Sequence, residues 1–158
     1  MPQIKTELLF DLALFGRPNN VGVTPYGSRR FVQVTGGSYQ GKTRRGEVLP
    51  AGADIALIRS DGVFEPNVNL LLKDAKDDAL VHVTYHGRFH GPDDVMRKLL
   101  ARDPGVMPGD FYLWNAVFFE TAAARLSWLN GILAISTGMP QAPTELGIGM
   151  LYHVYRVL

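Results

Sequence analysis

GGSYQGKTRRGEVLPAGAD, residues 36–54, decides between two classes of fold. The opening of this stretch, Gly36–Thr43, matches the phosphate-binding loop Gly-x-x-x-x-Gly-Lys-Thr of nucleotide-binding α/β proteins. That loop needs a preceding strand and a helix that begins at its Lys-Thr, so that the helix amides face the phosphates. RFVQV (residues 30–34) predicts the strand, but Gly46 and Pro50 follow the loop and break helices. We therefore predict no nucleotide site here and interpret the stretch as a glycine-rich hairpin loop of a β protein.

Alternation of apolar and polar residues with a period of two dominates the chain and indicates strands. ADIALIR (53–59) and VFEPNVNLLLK (63–73) flank Ser60-Asp61-Gly62, and an Asp-Gly between two apolar runs predicts a hairpin. Pro66 predicts a bulge or an edge position within the second run. Further strands are predicted in IKTELLFDLALF (4–15), LVHVTYHG (80–87), DFYLWNAVFFET (110–121), GILAIST (131–137) and GMLYHVYRV (149–157).

Two stretches have helical character, PDDVMRKLLAR (92–102) and AAARLSWLN (122–130). The first has a proline at its start and acidic residues in its first turn, which is typical of a helix N-terminus. With about eight to ten strands and only these short helices, the chain is predicted to be all-β with minor α. A single antiparallel sheet of this length removes its edges by closing, so we expect one barrel domain over residues 1–158, able to hold one small ligand.

Composition limits the function classes. A net charge of +1 gives no electrostatic basis for binding nucleic acid or an acidic membrane, and the basic clusters at Arg29-Arg30 and 42–45 are assigned to solvated loops. The sequence has no cysteine, which excludes disulfides, thiol nucleophiles and cysteine metal sites. No apolar run approaches the roughly 20 residues that span a bilayer, and the N-terminus does not resemble a signal peptide. We expect a cytoplasmic protein.

Three segments, in this order, resemble one family. GGSYQGKTRRGEVLPAGAD resembles its signature GG-x-x-x-G…G-x-V-L-P-G-G-A-D, and DGVFEPNVNLLLKDAKDDALVHV (61–83) resembles its central hairpin. FETAAARLSWLN (119–130) resembles its F-E-T…Y-x-W-L-N signature, and a closing strand ends in YHVYRV. On these motifs the chain is identified as a member of the Domain of Unknown Function 3237 family. The chain departs from the family pattern at Ile55, Trp114 and Val117-Phe118. These residues lie on strands predicted to line the pocket, so the departures affect the choice of substrate and leave the predicted fold unchanged.

The resemblance implies a calycin-like antiparallel β-barrel that forms a homo-oligomer and uses no metal or organic cofactor. The family is associated with small-molecule catabolism and natural-product pathways. Some members resemble cofactor-free cyclases that use acid–base groups inside the barrel.

Candidate catalytic residues are carboxylates and a phenol on apolar strand faces. Asp54 shares a face with Ala56 and Ile58, and Tyr85 shares one with two valines. Glu120 ends a face of the strand 110–121 that we interpret as a ligand wall, although an aromatic core stripe ending in a solvated carboxylate is an equal alternative. A desolvated carboxyl has a raised pKa and suits general acid or base work, and a phenol can stabilise an oxygen. The predicted substrate-binding residues are Tyr112, Trp114, Phe118, Arg88, Trp128 and Asn130.

Two structural alternatives stay open within that set: Trp128 as a core residue and Asn130 as a turn cap. We predict no metal site. The histidines at 82, 86 and 90 lie on one predicted strand, where positions four residues apart are about 13 Å apart, too far to bind one ion.

The leading hypothesis is a cofactor-free enzyme that carries out acid–base proton transfer on an apolar, aromatic or polycyclic small molecule, as an isomerase, lyase or hydroalkoxylating cyclase. The alternative is a non-catalytic barrel that binds a hydrophobic ligand as a carrier or sensor. A third hypothesis is a scaffold whose barrel is filled by its own aromatic side chains.

Overall fold

The computed structural model describes Met1 and residues 3–158. Over those residues the chain forms nine strands, one α-helix and one 3₁₀ helix. The strands are β1 (Thr6–Thr24), β2 (Gly27–Gln40), β3 (Arg45–Ile58), β4 (Phe64–Glu65), β5 (Asn67–Asp74), β6 (Leu80–His90), β7 (Tyr112–Glu120), β8 (Ala134–Thr144) and β9 (Gly147–Val157). The α-helix is α1 (Asp93–Leu100), and the 3₁₀ helix is Ala124–Gly131.

The strands form a closed antiparallel barrel. Each strand pairs with the next in the order β1, β2, β3, β5, β6, β7, β8, β9. β9 then pairs with β1, which closes the ring. The short β4 and the longer β5 both pair with β3 and β6, so together they fill one position of an eight-membered ring. Closure removes the sheet edges and fixes an interior of about the size that side chains or one small ligand can fill. The predicted all-β barrel with two short helices is therefore confirmed.

The segment with the phosphate-loop pattern is a β-hairpin. β2 continues to Gln40 and β3 begins at Arg45, so only residues 41–44 turn the chain, with the Gly41 N–H donating to the Arg44 carbonyl at 2.7 Å. Gly37 has φ +146°, and a Cβ atom there would overlap the carbonyl oxygen of Ala13 on β1. The glycines thus permit close packing of β2 against β1.

α1 begins after Pro92, with Asp93 and Asp94 in its first turn and Arg97 and Lys98 in its last. These charges oppose the helix dipole at both ends and stabilise a helix of only eight residues. In the part of the chain that the structure describes, neither helix is long and apolar enough to cross a bilayer.

One end of the barrel is closed by packed aromatic rings and the 3₁₀ helix. The Phe10 ring lies 5.2 Å from the Tyr39 ring and 6.2 Å from the Phe119 ring, measured between centroids, and the 3₁₀ helix buries Leu126 and Leu129 against this layer. This layer leaves little empty space at this end of the barrel.

The buried carboxylate of Asp74 contacts side chains from several elements at the closed end. The Tyr39 hydroxyl donates to Asp74 at 3.2 Å, and the Arg125 guanidinium lies 3.0 Å from Asp74 and 2.8 Å from Asp77. Asp74 is almost fully buried, so these partners replace the water that its charge has lost.

The face of β7 that was predicted to line the pocket lies on the outside of the barrel. The buried side chains are those of Leu113, Asn115, Val117 and Phe119, whereas Tyr112, Trp114 and Phe118 are 41–52% exposed. The prediction was wrong because both faces of YLWNAVFFE are apolar, and alternation alone does not say which face is buried. Pairing decides the orientation: Val117 lies opposite the buried Tyr85 of β6.

Candidate active site

The end of the barrel opposite the 3₁₀ helix contains a cavity of about 480 Å³. Its walls come from the inner faces of β1, β2, β3, β6, β7 and β9, and its mouth is formed by the loop after β3 and by α1. The volume lies within the ~300–1,000 Å³ typical of small-molecule sites. Most of the wall is apolar and includes Leu14, Val34, Phe89, Leu113 and Met150.

Asp54 lies on the inner face of β3, in a row of residues that crosses several strands. It is opposite Val32 on β2 and Val68 on β5, and Val68 is opposite Tyr85 on β6. Directly opposed residues of antiparallel strands share a face, and Val68 and Tyr85 are 1% and 4% exposed. Asp54 and Tyr85 therefore both face the interior, and both line the cavity.

The backbone next to the break between β4 and β5 donates a hydrogen bond to Asp54. Pro66 has no N–H, and its carbonyl accepts from Gly87 of β6 at 3.3 Å, outside the regular ladder of either strand. The next residue, Asn67, donates its backbone N–H to Oδ1 of Asp54 at 2.9 Å. Among the described residues, Oδ2 of Asp54 makes no hydrogen bond, although the residue lines the cavity.

Burial raises the pKa of Asp54 above its ordinary value. The apolar surroundings disfavour the carboxylate, and this effect exceeds the opposing effects of the Asn67 hydrogen bond and of the positive charges of Arg30 and His86. Asp54 is therefore suited to exchanging a proton with a ligand.

Two phenols lie beside Asp54. The rings of Tyr85 and Tyr152, on β6 and β9, meet edge to face with centroids 5.5 Å apart, and both line the cavity. Burial raises the pKa of each phenol above its ordinary value. The neighbouring phenol raises the pKa of Tyr85 further and partly opposes the rise for Tyr152, and the Asp54 charge adds to the rise for both. Both phenols stay protonated and can donate hydrogen bonds to a ligand oxygen.

Sequence reasoning missed Tyr152. In YHVYRV, Tyr152 and Val154 share one face and His153 lies on the other, which is the alternation of a half-buried strand. Tyr152 and Val154 are buried, while His153 forms a surface pair with Asp11 at 2.6 Å. The alternation was present, but only closure of the barrel brings β9 opposite β6.

Sequence reasoning also missed Arg30, which it assigned to a solvated loop with Arg29. Both residues lie in β2. Arg30 is opposite Ala56, which is fully buried, so Arg30 faces inward and lines the cavity. Arg29 faces outward and donates to the Ile55 carbonyl at 3.3 Å.

Glu120 and three predicted substrate-binding residues lie on the outside of the barrel. The Glu120 side chain is 85% exposed and lies 3.8 Å from His82. Tyr112, Trp114 and Phe118 share its face and do not line the cavity. The predicted position of these four residues in the pocket is wrong, for the reason of strand orientation given above.

Arg88, Trp128 and Asn130 are also absent from the cavity wall. The Arg88 side chain lies on the outer face of β6, 3.5 Å from Glu65. The Trp128 ring lies under the guanidinium groups of Arg44 and Arg156, at 4.7 and 5.8 Å. These positions fit structural roles rather than the predicted contact with substrate.

Asn130 forms a clamp at the closed end. Its Oδ1 accepts from the Thr121 N–H at 2.8 Å, and its Nδ2 donates to the Thr121 carbonyl at 3.0 Å. This corresponds to the turn-cap alternative, since both hydrogen bonds join the 3₁₀ helix to the end of β7.

In Met1 and residues 3–158, no group of three or more His, Asp or Glu side chains converges as a metal site would. His82 instead contacts Asn69 at 3.0 Å, and the His90 ring stacks on Tyr112 at 5.1 Å. The cavity lining brings together the Asp54 carboxyl group, the phenols of Tyr85 and Tyr152 and the Arg30 guanidinium, and it also includes Asp61, His90 and Asp93.

The fold and site define a class: a closed antiparallel β-barrel with an apolar cavity of small-molecule size that carries a desolvated carboxyl group. Within this class, the chain belongs to the family described as Protein of unknown function (DUF3237), whose model matches residues 4–157. The family resemblance predicted from the three sequence motifs is confirmed.

The similar proteins extend over almost the whole chain. A UPF0311 protein of Rhodopseudomonas palustris is 30% identical and covers 89% of this chain and 92% of its own length. The crystal structure of a conserved protein of unknown function from R. palustris gives a TM-score of 0.86 at 27% identity, with 100% of both chains covered. A beta-barrel like protein from Acinetobacter baumannii AYE gives 0.79 at 28% identity, covering 100% of this chain and 98% of that one.

Two fungal proteins are also similar. PR-toxin biosynthesis cluster protein 7 of Penicillium roqueforti is 28% identical and covers 78% of this chain and 74% of its own length. The crystal structure of an enzyme from Penicillium herquei gives a TM-score of 0.65 at 20% identity, covering 98% of this chain and 97% of that one, which is a likeness of fold.

Proposed function

We propose that the chain is a cofactor-free enzyme that catalyses acid–base proton transfer on an apolar, aromatic or polycyclic small molecule bound in the barrel cavity. The reaction classes that fit are isomerisation, lyase-type elimination and cyclisation by addition of a hydroxyl group. The single observation that carries the proposal is the position of Asp54, which borders a mostly apolar cavity. Its pKa is raised, and its Oδ2 has no hydrogen-bond partner among the described residues.

The first step is removal of a proton from the ligand by Asp54. A ligand O–H or acidic C–H bond breaks, a bond forms between the proton and Oδ2 of Asp54, and the electron pair stays on the ligand. Oδ1 remains bonded to the Asn67 N–H, which holds the carboxyl group in one orientation while Oδ2 changes protonation state.

The second requirement is a donor for the oxygen that becomes negative. Tyr85 and Tyr152 supply hydroxyl groups from neighbouring positions of the wall, and their raised pKa values keep both groups protonated as donors. Return of the proton from Asp54 to another atom of the ligand completes an isomerisation or cyclisation and regenerates the enzyme.

The comparisons favour a small organic substrate without naming it. The P. roqueforti relative is named for a toxin biosynthesis cluster, and the P. herquei protein of similar fold is called an enzyme. One fold hosts many activities. These descriptions therefore support an enzyme that acts on a small molecule, while the type of reaction is inferred from the residues of the cavity.

The test compares two carboxyl-to-amide substitutions. Asp54→Asn keeps the shape of the side chain and its ability to accept the Asn67 hydrogen bond, but it cannot take up a proton. Wild type, Asp54→Asn and Glu120→Gln are incubated with hydroxyaryl ketones and hydroxyaryl enones, and products are followed by liquid chromatography and mass spectrometry.

We expect Asp54→Asn to lower turnover about 10²–10⁴-fold and Glu120→Gln to leave it unchanged, because Glu120 lies on the outer surface. Full turnover by Asp54→Asn would contradict the proposal.

The second candidate function is a carrier or sensor for a hydrophobic ligand, and the apolar character of most of the cavity wall favours it. A carrier returns every ligand chemically unchanged, and Asp54→Asn then alters affinity alone.

The homo-oligomer implied by the family resemblance is also a proposal. The outer face of β7 exposes Tyr112, Trp114 and Phe118, which we call the aromatic surface. Large exposed apolar residues that lie together are typical of protein contacts, so this face is where a second copy of the chain would bind.

A further inference from the structure

Arg30 places a positive charge in the cavity wall. Its position opposite Ala56 directs it inward, and it lines the same cavity as Asp54. Among the described residues it takes part in no salt bridge and no side-chain hydrogen bond.

The arginines around it have partners. Arg29 donates to the Ile55 carbonyl, Arg59 pairs with Asp61 and Glu65, and Arg88 lies 3.5 Å from Glu65. A guanidinium that is directed into a mostly apolar cavity loses part of its hydration, and this cost is recovered only when the group is paired. Arg30 is the arginine in the cavity lining, and among the described residues no side chain pairs with it.

Asp54 is near enough to Arg30 for the positive charge to lower its pKa, yet no ion pair joins them in the described residues. Both groups line the cavity from diagonal positions on the paired strands β2 and β3, because Arg30 is opposite Ala56 and Asp54 is opposite Val32. A ligand oxygen placed beside both groups in this cavity would contact the guanidinium on one side and lie close to the carboxyl group on the other.

We propose that Arg30 binds an oxyanion of the ligand, so that the cavity selects compounds that carry an enolate, phenolate or carboxylate on an apolar ring system. The inference rests on the proposed function only in placing the ligand in this cavity. Arg30 would also stabilise the charge that forms during the reaction. When Asp54 takes the ligand proton, the electron pair stays on the ligand oxygen, which faces the Arg30 guanidinium. The oxyanion and the guanidinium together carry no net charge.

The choice of oxyanion over a neutral ligand follows from charge. Arginine presents several N–H donors in a planar fork that matches two lone pairs on one oxygen or two oxygens of one group. Tyr85 and Tyr152 can donate neutral hydrogen bonds to a ligand oxygen, whereas Arg30 adds a full positive charge, which favours an anionic ligand over a neutral one.

The test measures affinity by isothermal titration calorimetry with three probes. 2-Hydroxy-1,4-naphthoquinone is an enolate at neutral pH, 2-naphthoate is a carboxylate, and 2-methoxy-1,4-naphthoquinone is a neutral compound of nearly the same shape as the first. The variants are Arg30→Gln, Arg30→Lys, which keeps the charge, and Arg29→Gln as the matched control on the outer face. Circular dichroism and thermal unfolding of each variant establish that it is folded.

We expect Arg30→Gln to weaken binding of at least one anionic probe about tenfold or more, as loss of a charged hydrogen bond implies, and to leave the neutral probe unchanged. Arg30→Lys should keep part of the anion affinity, and Arg29→Gln should match wild type. The probe that loses affinity identifies the source of the oxyanion, enolate or carboxylate.

Equal affinities of wild type and Arg30→Gln for both anions would overturn the inference, as would an equal loss for anionic and neutral probes or failure of both anions to bind wild type. These results are separate from the turnover of Asp54→Asn. An inactive carrier with an intact preference for anions would contradict the proposed enzyme and leave the role of Arg30 standing.

Discussion

The backbone N–H of Asn67 and Oδ1 of Asp54 are joined by a 2.9 Å hydrogen bond across the break between β4 and β5. This bond stabilises the carboxylate, but burial has the larger effect, so the pKa of Asp54 is raised. The chain thus holds an oriented carboxyl group in a setting that disfavours its charge, which is a common arrangement of catalytic acids and bases.

Asp54→Asn should make the protein more stable at neutral pH. The folded state binds the Asp54 proton more tightly than the unfolded state does, because its pKa is raised on folding. The stability of wild type relative to the variant therefore falls as pH rises from the unfolded value of about 3.9 through the folded pKa.

Urea unfolding of both proteins at acidic and neutral pH checks this. The urea concentration at the unfolding midpoint should be higher for Asp54→Asn than for wild type, and the difference should be larger at neutral pH. A variant that becomes less stable relative to wild type as pH rises would show that the fold prefers the charged carboxylate.

Tyr85→Phe should lower kcat about a hundredfold, the effect of removing one donor to a developing oxyanion, with a smaller change in KM. The matched control is Tyr155→Phe, since Tyr155 lies on the opposite face of β9 from Tyr152 and does not line the cavity. Steady-state kinetics on a substrate found in the panel gives both constants. Equal kcat values for Tyr85→Phe and Tyr155→Phe would remove Tyr85 from the mechanism.

Gly87→Ala should destabilise the protein by roughly 1–3 kcal/mol, the usual cost of overpacking. A Cβ atom at Gly87 would overlap Oδ1 of the buried Asn115 and the carbonyl oxygen of Trp114, and backbone cannot move aside cheaply. Gly131→Ala is the control, because nothing lies within 4 Å of a Cβ atom there. Chemical denaturation measures both, and a Gly87→Ala variant as stable as Gly131→Ala would mean that β6 and β7 pack less tightly than described.

Trp114→Glu should shift the protein toward the monomer. The substitution places a charge in the centre of the aromatic surface, where an interface between copies would have to desolvate it. Phe31→Glu is the control, since Phe31 is similarly exposed, at 40%, but lies on β2. Light scattering after size-exclusion chromatography gives the mass of each, and an unchanged oligomer for Trp114→Glu would place the contact elsewhere.

The barrel could be predicted because local signals agreed along the whole chain. Gly46 and Pro50 ruled out the helix of a nucleotide-binding fold, and Asp61-Gly62 indicated a turn. Pro66 predicted a bulge or an edge position, and the structure has a break between β4 and β5 there. Asp54 and Tyr85 were identified because each stands on a strand face whose other members are apolar.

Residues whose position depends on long-range pairing could not be found in this way. β7 is apolar on both faces, so the sequence pattern was compatible with Glu120 inside or outside, and only the register with β6 decides. Arg30 was assigned to solvent because charged residues are mostly exposed. Its inward direction results from its place opposite Ala56, 26 residues further along the chain.

The most direct test of the account is the titration of Asp54 by carbon-13 carboxyl NMR, with its signal assigned by comparison with Asp54→Asn. Asp61, at the cavity mouth, is the internal reference, because its hydrogen bonds to Arg59 hold its pKa below the ordinary value. We expect Asp54 to titrate above the roughly 3.9 of an unperturbed aspartate and Asp61 to titrate below it. An Asp54 carboxyl group that titrates at or below that value would contradict a desolvated acid–base group in the cavity, and with it the proposed enzyme.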